Sequence, residues 1–196
     1  MKTNKEVRIL PIEVRASENE ESRTIEGYAV RFNEWSKDLG GFTEIINSGA
    51  ITQELLDNSD VVMNRDHNDE KMLARWNKGK GTLGLELRED GLYFRFEAPT
   101  TELGNQALYD VRNGNLFECS FAFSIGNEDK SERWYRDADN TLKREINHIS
   151  GLYDCSLVTH AAYPTTSCSA RADEVLLKEE EVTKAMDALD KEIETL

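Results

Sequence analysis

The chain has 196 residues, 38% of them hydrophobic and 32% charged, with a formal net charge of −14. That is enough apolar material for one β-rich domain with an appendage. The acidity argues against nucleic acid or an anionic membrane as partner, because basic patches supply most of the affinity for either. No apolar run approaches membrane-spanning length, and the opening "MKTNKEVRIL" lacks the apolar core of a signal peptide, so a cytosolic protein is expected. Three cysteines without metal spacing fit the same reducing compartment.

In chain order, "VRILPIEVRA" reads as a strand interrupted at Pro11 and "SENEES" as a turn. "TIEGYAVRF" is then the returning strand of a hairpin, with irregularities at the proline and at Gly27. "NEWSKDLGG" is a loop and "FTEII" a short strand, after which Asn47 or Ser48 is the expected cap of a short helix through Leu56. "DVVMNRDH" starts apolar and turns abruptly charged. "MLARWN", "GTLGLELRE" and "GLYFRFEA" are three strands parted by the turn signals "KGKG" and "EDG". Leu103, Ala107, Leu108 and Val111 fall at helical spacing, and Asn113-Gly114 stops that helix. "LFECSFAFSIG" is a strand, "ERWYRDADNTLKREINHI" an exposed hairpin and "GLYDCSLVTHAAYP" the last strong strand. Short strands so closely spaced, with two peripheral helices, predict a mainly β (α+β) body over residues 1–171, a barrel or sandwich and not a βαβ sheet.

Residues 172–196 differ in kind. They lack glycine, proline and aromatics, and nine acidic against three basic side chains give them a net −6 of the chain's −14. Val182, Met186, Leu189, Ile193 and Leu196 are spaced by four, three, four and three, which predicts an acidic amphipathic or coiled-coil helix. Such a seam needs an apolar partner: self-association into a homo-oligomer, a helical scaffold protein, or the body itself.

The strand at 116–125 raises the functional question. At a period of two, Phe117, Cys119, Phe121, Phe123 and Ile125 make an apolar face, and Glu118, Ser120, Ala122 and Ser124 a small, polar one. The second face either meets water or is approached by something else. Cys119 and Cys155 read as packed small residues. His67 stands where an apolar strand ends in a polar cluster, as a solvated side chain or as a functional base. Asp66, Asp69 and Glu70 are adjacent to it and not spaced along one helix face, a poor metal pattern, so no metal or cofactor is expected. Asp154 interrupts an apolar strand, sharing a face at a period of two with Leu152, Ser156 and Val158. It needs solvent or a cation beside it, because an unpaired buried carboxylate is costly. A carboxylate that orients a histidine meets that need, and serine, histidine and acid are the parts of a serine hydrolase. No GxSxG surrounds Ser120, and there is no GxxxxGK[ST] or HExxH; Gly79 and Gly81 of "GKGTLG" belong to a hairpin turn and not to a phosphate cradle.

The ordered set "IEGYAVRFN", "FTEIINSGAI", "DVVMNRDHNDEKMLARW", "GTLGLELREDGLYFRFEAPTTELGNQALYDVRNGNLFECSFAFS" and "LYDCSLVTHAAYPTTS" resembles the phage prohead protease family. These are capsid-maturation serine proteases related to the herpesvirus assemblins, and the likeness runs from Thr24 to Arg171. It implies a herpesvirus-protease-like β-barrel. It also implies a serine endopeptidase that cuts scaffold and capsid-protein segments, and itself, inside the procapsid assembling in the cytoplasm of a bacterial host. On the matching motifs the general base falls on His67, the nucleophile on Ser120 and the third member on Asp154. His160 is the rival third member, in the Ser-His-His arrangement of the assemblins. The family pattern has Asn-His-Asp where this chain has Asp66-His67-Asn68, glycine at Ala122, more often Glu than Asp at 154, and proline near Ala161. Family members are expected to be restrained until packaged. The alternative is a β-barrel that has lost activity and serves as a structural or scaffold-binding module.

Overall fold

The computed structural model describes residues 5–10, 14–19, 21–126, 128, 130–159, 182 and 184–186. In chain order these form β1 (Glu6–Leu10), β2 (Arg15–Ala16), β3 (Thr24–Arg31), β4 (Phe42–Ile46) and α1 (Gln53–Asn58). Next come β5 (Asp60–Arg65), β6 (Asn68–Asn77), β7 (Lys80–Gly81), β8 (Leu83–Arg88), β9 (Gly91–Glu97) and α2 (Glu102–Arg112). The last are β10 (Glu118–Ile125), β11 (Glu132–Arg136), β12 (Leu142–Ile146) and β13 (Ile149–Val158).

The strands make three sheets, ordered β1-β10-β13-β5-β6-β7, β11-β12-β4 and β2-β3-β9-β8. The body is mainly β, as expected, but the barrel is not found: among the described residues no sheet closes on itself. Closure requires the first and last strands of a sheet to pair. Here β1 pairs only with β10, and β7 only with β6. The apolar faces of all three sheets still share one core, which includes Ile25, Phe94, Leu56, Phe121, Phe123 and Ile146. Phe121 and Phe123 stack at 4.6 Å within it. Burying each such side chain contributes about 1.5–3 kcal/mol.

Several local expectations need correction. The chain does return as a hairpin through β2 and β3, but β1 leaves it and pairs antiparallel with β10. The short helix is capped by Thr52, whose hydroxyl accepts from the Leu55 N–H, and not by Asn47 or Ser48. The second helix starts at Thr101 in the same way and ends at Asn113. The hairpin around "DADN" is not an exposed arm. Its second strand pairs in parallel with β4, which drives Leu142, Arg144 and Ile146 inward. Phe117 is 54% exposed, because it precedes β10 and lies outside the paired strand. Most of the expected C-terminal helix lies outside the described residues; within it Val182 and Lys184–Met186 are helical and exposed.

Candidate active site

The site is assembled on β10, which runs antiparallel between β1 and β13. Ser120 faces Ile9 on one side and Ser156 on the other. Ala122 is opposite Asp154, so Ser120, Asp154 and Ser156 share one face of the sheet. Simple alternation would put Leu152 on that face too. The register shifts between Ala122 and Phe123, and Leu152 pairs with Phe123 in the core. Tyr153 absorbs the extra residue, and this β-bulge turns Asp154 out of the apolar side.

His67 arrives from the next strand but one. β5 lies parallel to β13, with Asn64 opposite Ser156. Arg65 pairs with Asn68, which leaves Asp66 and His67 as a two-residue hairpin loop. Both adopt left-handed backbone, at φ 55° and 56°. That is the signature of a type I′ turn, in which Asp and His are tolerated better than most side chains. The sequence "NRDHN" therefore folds so that the imidazole reaches back over the sheet.

Its two nitrogens meet different groups. Nε2 lies 2.6 Å from Ser120 Oγ, and Nδ1 lies 2.6 Å from Asp154 Oδ1. Asp154 Oδ2 accepts from Lys5 Nζ at 2.7 Å. Burial pushes the Asp154 carboxyl up, but the hydrogen bonds from His67 and Lys5, together with their charge, hold it below the ordinary value. Ser156 Oγ is 3.0 Å from His67 Nδ1, and Asn64 Oδ1 accepts from that hydroxyl. A proton on Nδ1 leaves the Nε2 lone pair facing the serine hydroxyl, the arrangement that lets an imidazole take a nucleophile's proton.

The small face of β10 is not open, as an approached face would be. Ser120 and Ala122 are fully buried and His67 is partly exposed. Ser120 Oγ also lies 2.9 Å from the Arg8 carbonyl oxygen on β1, so one hydroxyl proton has two acceptors in reach. Ser124, on the same strand, contacts Ser150 and Tyr153 instead, each at 3.0 Å. His148 is half-buried between β12 and β13, with Nδ1 packed over Gly126. His160 lies outside the described residues. Lys5, Asn64 and Ser156 were not singled out in the sequence. Only Ser156 left a signal there, as the face-mate of Asp154.

A family model described as caudovirus prohead serine protease matches residues 10–181. No curated protein and no solved structure matches the chain. The family match spans the strands that carry Ser120 and Asp154 and the hairpin loop that carries His67, and on it the chain belongs to the caudovirus prohead serine protease family.

Proposed function

We propose that this chain is a capsid-maturation serine endopeptidase that cuts scaffold and capsid-protein segments, and itself, inside the procapsid in the host cytoplasm. Ser120 Oγ attacks the scissile carbonyl carbon while His67 Nε2 takes its proton. The tetrahedral adduct collapses, the C–N bond breaks, and Nε2–H protonates the leaving amine. Water then repeats the sequence on the acyl-serine, with His67 again as base. Asp154 keeps the Nδ1 proton in place and offsets the charge of the imidazolium. The observation that carries this reading is the pair of 2.6 Å contacts on the two nitrogens of one imidazole.

The burial of Ser120 favours a second reading, the inactive structural module. It also suits an enzyme restrained until a substrate strand displaces what covers the hydroxyl. Labelling by a serine-reactive fluorophosphonate, with Ser120→Ala as control, separates the two. Labelling at Ser120 supports the protease, and a silent Ser120 in protein matured inside procapsids supports the module.

The acidic segment 172–196 is proposed as a separate unit that self-associates through its seam. Val182 and Met186 are 59% and 62% exposed, as an unpartnered seam requires. A chain ending at Arg171 should sediment as a smaller species and keep per-site cleavage. An unfolded truncation would make the helix part of the core instead.

A further inference from the structure

We infer that Ser156 is a positioning residue which, oriented by Asn64, holds the proton of His67 on Nδ1; this rests on His67 being the base. Ser156 and Asn64 are both fully buried, so no solvent satisfies them. The Ser156 hydroxyl has one proton and three neighbours: Asn64 Oδ1 at 2.5 Å, His67 Nδ1 at 3.0 Å and Asp154 Oδ1 at 3.1 Å. Asn64 is itself oriented by Asp69, whose carboxylate accepts from Nδ2 at 3.5 Å. Its Oδ1 therefore faces Ser156, and a carbonyl oxygen can only accept.

Proton counting settles the rest. The Ser156 proton goes to Asn64, because two oxygens at that separation with no proton between them repel. Ser156 then presents only lone pairs to Nδ1. Two acceptors, Asp154 Oδ1 and Ser156 Oγ, converge on one ring nitrogen, which must carry a proton. Nε2 is left bare toward Ser120. In the intact site the carboxylate does most of this. When Asp154 is replaced by an amide, whose NH₂ can turn toward Nδ1, the Ser156 oxygen is the group that still favours the productive tautomer.

The test compares Ser156→Ala in the native and the Asp154→Asn backgrounds by ¹⁵N NMR of the His67 ring at about pH 9, where an ordinary imidazole is neutral. Asp154→Asn alone should keep most of the ring population protonated on Nδ1. Asp154→Asn/Ser156→Ala should move it to Nε2, and Asp154→Asn/Ser156→Thr, which keeps the hydroxyl, should restore it. In kcat the Ser156→Ala penalty should be about 10-fold larger in the Asp154→Asn background, within the coupling usual for contacting groups. Equal penalties, or an unchanged tautomer in the double variant, overturn the inference. Should the double variant not fold, Asn64→Ala in the Asp154→Asn background releases the Ser156 proton toward Nδ1. It must shift the ring toward Nε2–H, and no shift overturns the proposal. Absence of fluorophosphonate reaction at Ser120 would instead defeat the catalytic reading, while the ring measurement still decides the hydrogen-bond assignment.

Discussion

Two of the regions in which this molecule buries charge meet at β1. The backbone carbonyl of Arg8 faces Ser120, while its side chain enters a cluster of Glu6, Glu44 and Arg144. In that cluster Arg144, with no exposure, contacts Glu6, Glu44 and Glu132 at 2.7–2.8 Å, and Trp134 lies 5.1 Å from its guanidinium. Burial pushes Arg144 down, but its three carboxylate partners outweigh this and hold it above the ordinary value. Arginine cannot lose its proton in a protein, so Arg8 and Arg144 have none to move. The site at His67 is smaller, and its imidazole and hydroxyl offer a proton more than one place. Buried charge therefore marks chemistry only where a proton can move.

The sharpest break between the two regions is removal of the moving proton. Ser120→Ala and His67→Asn should each lower turnover by about 10⁶. Asp154→Asn should lower it by less than the roughly 10⁴ of a site forced into the wrong tautomer, because Ser156 keeps the Nδ1 proton and only the countercharge to the imidazolium is lost. Asparagine suits the left-handed turn position as well as histidine does, so His67→Asn separates catalysis from folding. Urea midpoints should report no more than about 1 kcal/mol of lost stability for these changes. If Ser124→Ala kills cleavage and Ser120→Ala does not, the nucleophile is misassigned.

Disturbing the other region should reverse the pattern. Arg144→Leu leaves Glu6 and Glu44 buried with less compensation and should cost roughly 3–5 kcal/mol of stability. Urea denaturation measures this, and adding Glu44→Gln should recover part of the loss. If Arg144→Leu folds as stably as the native protein, the cluster does not hold β1 against the β11-β12-β4 sheet.

The sequence shows these two regions very unequally. The period-two split of β10 predicts correctly that Phe121 and Phe123 enter the core while Ser120 takes the opposite face. It cannot show that the opposite face is covered, because β1 joins β10 from more than a hundred residues away. The ionic cluster is almost invisible. In "EVRIL", Glu6 and Arg8 alternate with apolar residues as on any solvated strand. Their partners lie on β4 and β12, brought close by a parallel pairing that no local pattern announces. Asp154 was legible because a carboxylate in an apolar strand demands a partner. The bulge at Tyr153 that aims it was not.

A smaller effect tests the electrostatics of the site by acidity. The Asp154 pKa lies below its unfolded value, so its ionised form adds stability that is fully present above about pH 4. That contribution is lost as pH falls through the lower folded value. The stability difference between the native protein and Asp154→Asn, from urea melts, should therefore hold steady from about pH 6 to about pH 4 and narrow below it. A difference independent of pH would mean that the His67 and Lys5 contacts do not act on this carboxylate.

The smallest expected effect concerns the reverse side of the same strands. Cys119 precedes Ser120, and Cys155 lies between Asp154 and Ser156, yet both are buried in the core. Burial pushes the Cys119 thiol up to about 12, and the charge of Asp154 adds to this against an opposing hydrogen bond from the Ser156 backbone. Cys155 is raised well above its ordinary value by burial first, then by Cys119 and Asp154. The thiolate is the nucleophile, so at neutral pH neither sulfur should react, although Cys119 is adjacent in sequence to the proposed nucleophile. In a Cys168→Ser background, labelling by a disulfide reagent should be negligible in the folded protein and should follow urea-induced unfolding. Ser120→Ala should leave that rate unchanged, because one change of face separates the sulfur from the imidazole. Rapid labelling under native conditions would mean that the core face of β10 opens without global unfolding, and the division between a reactive and an inert face would fail.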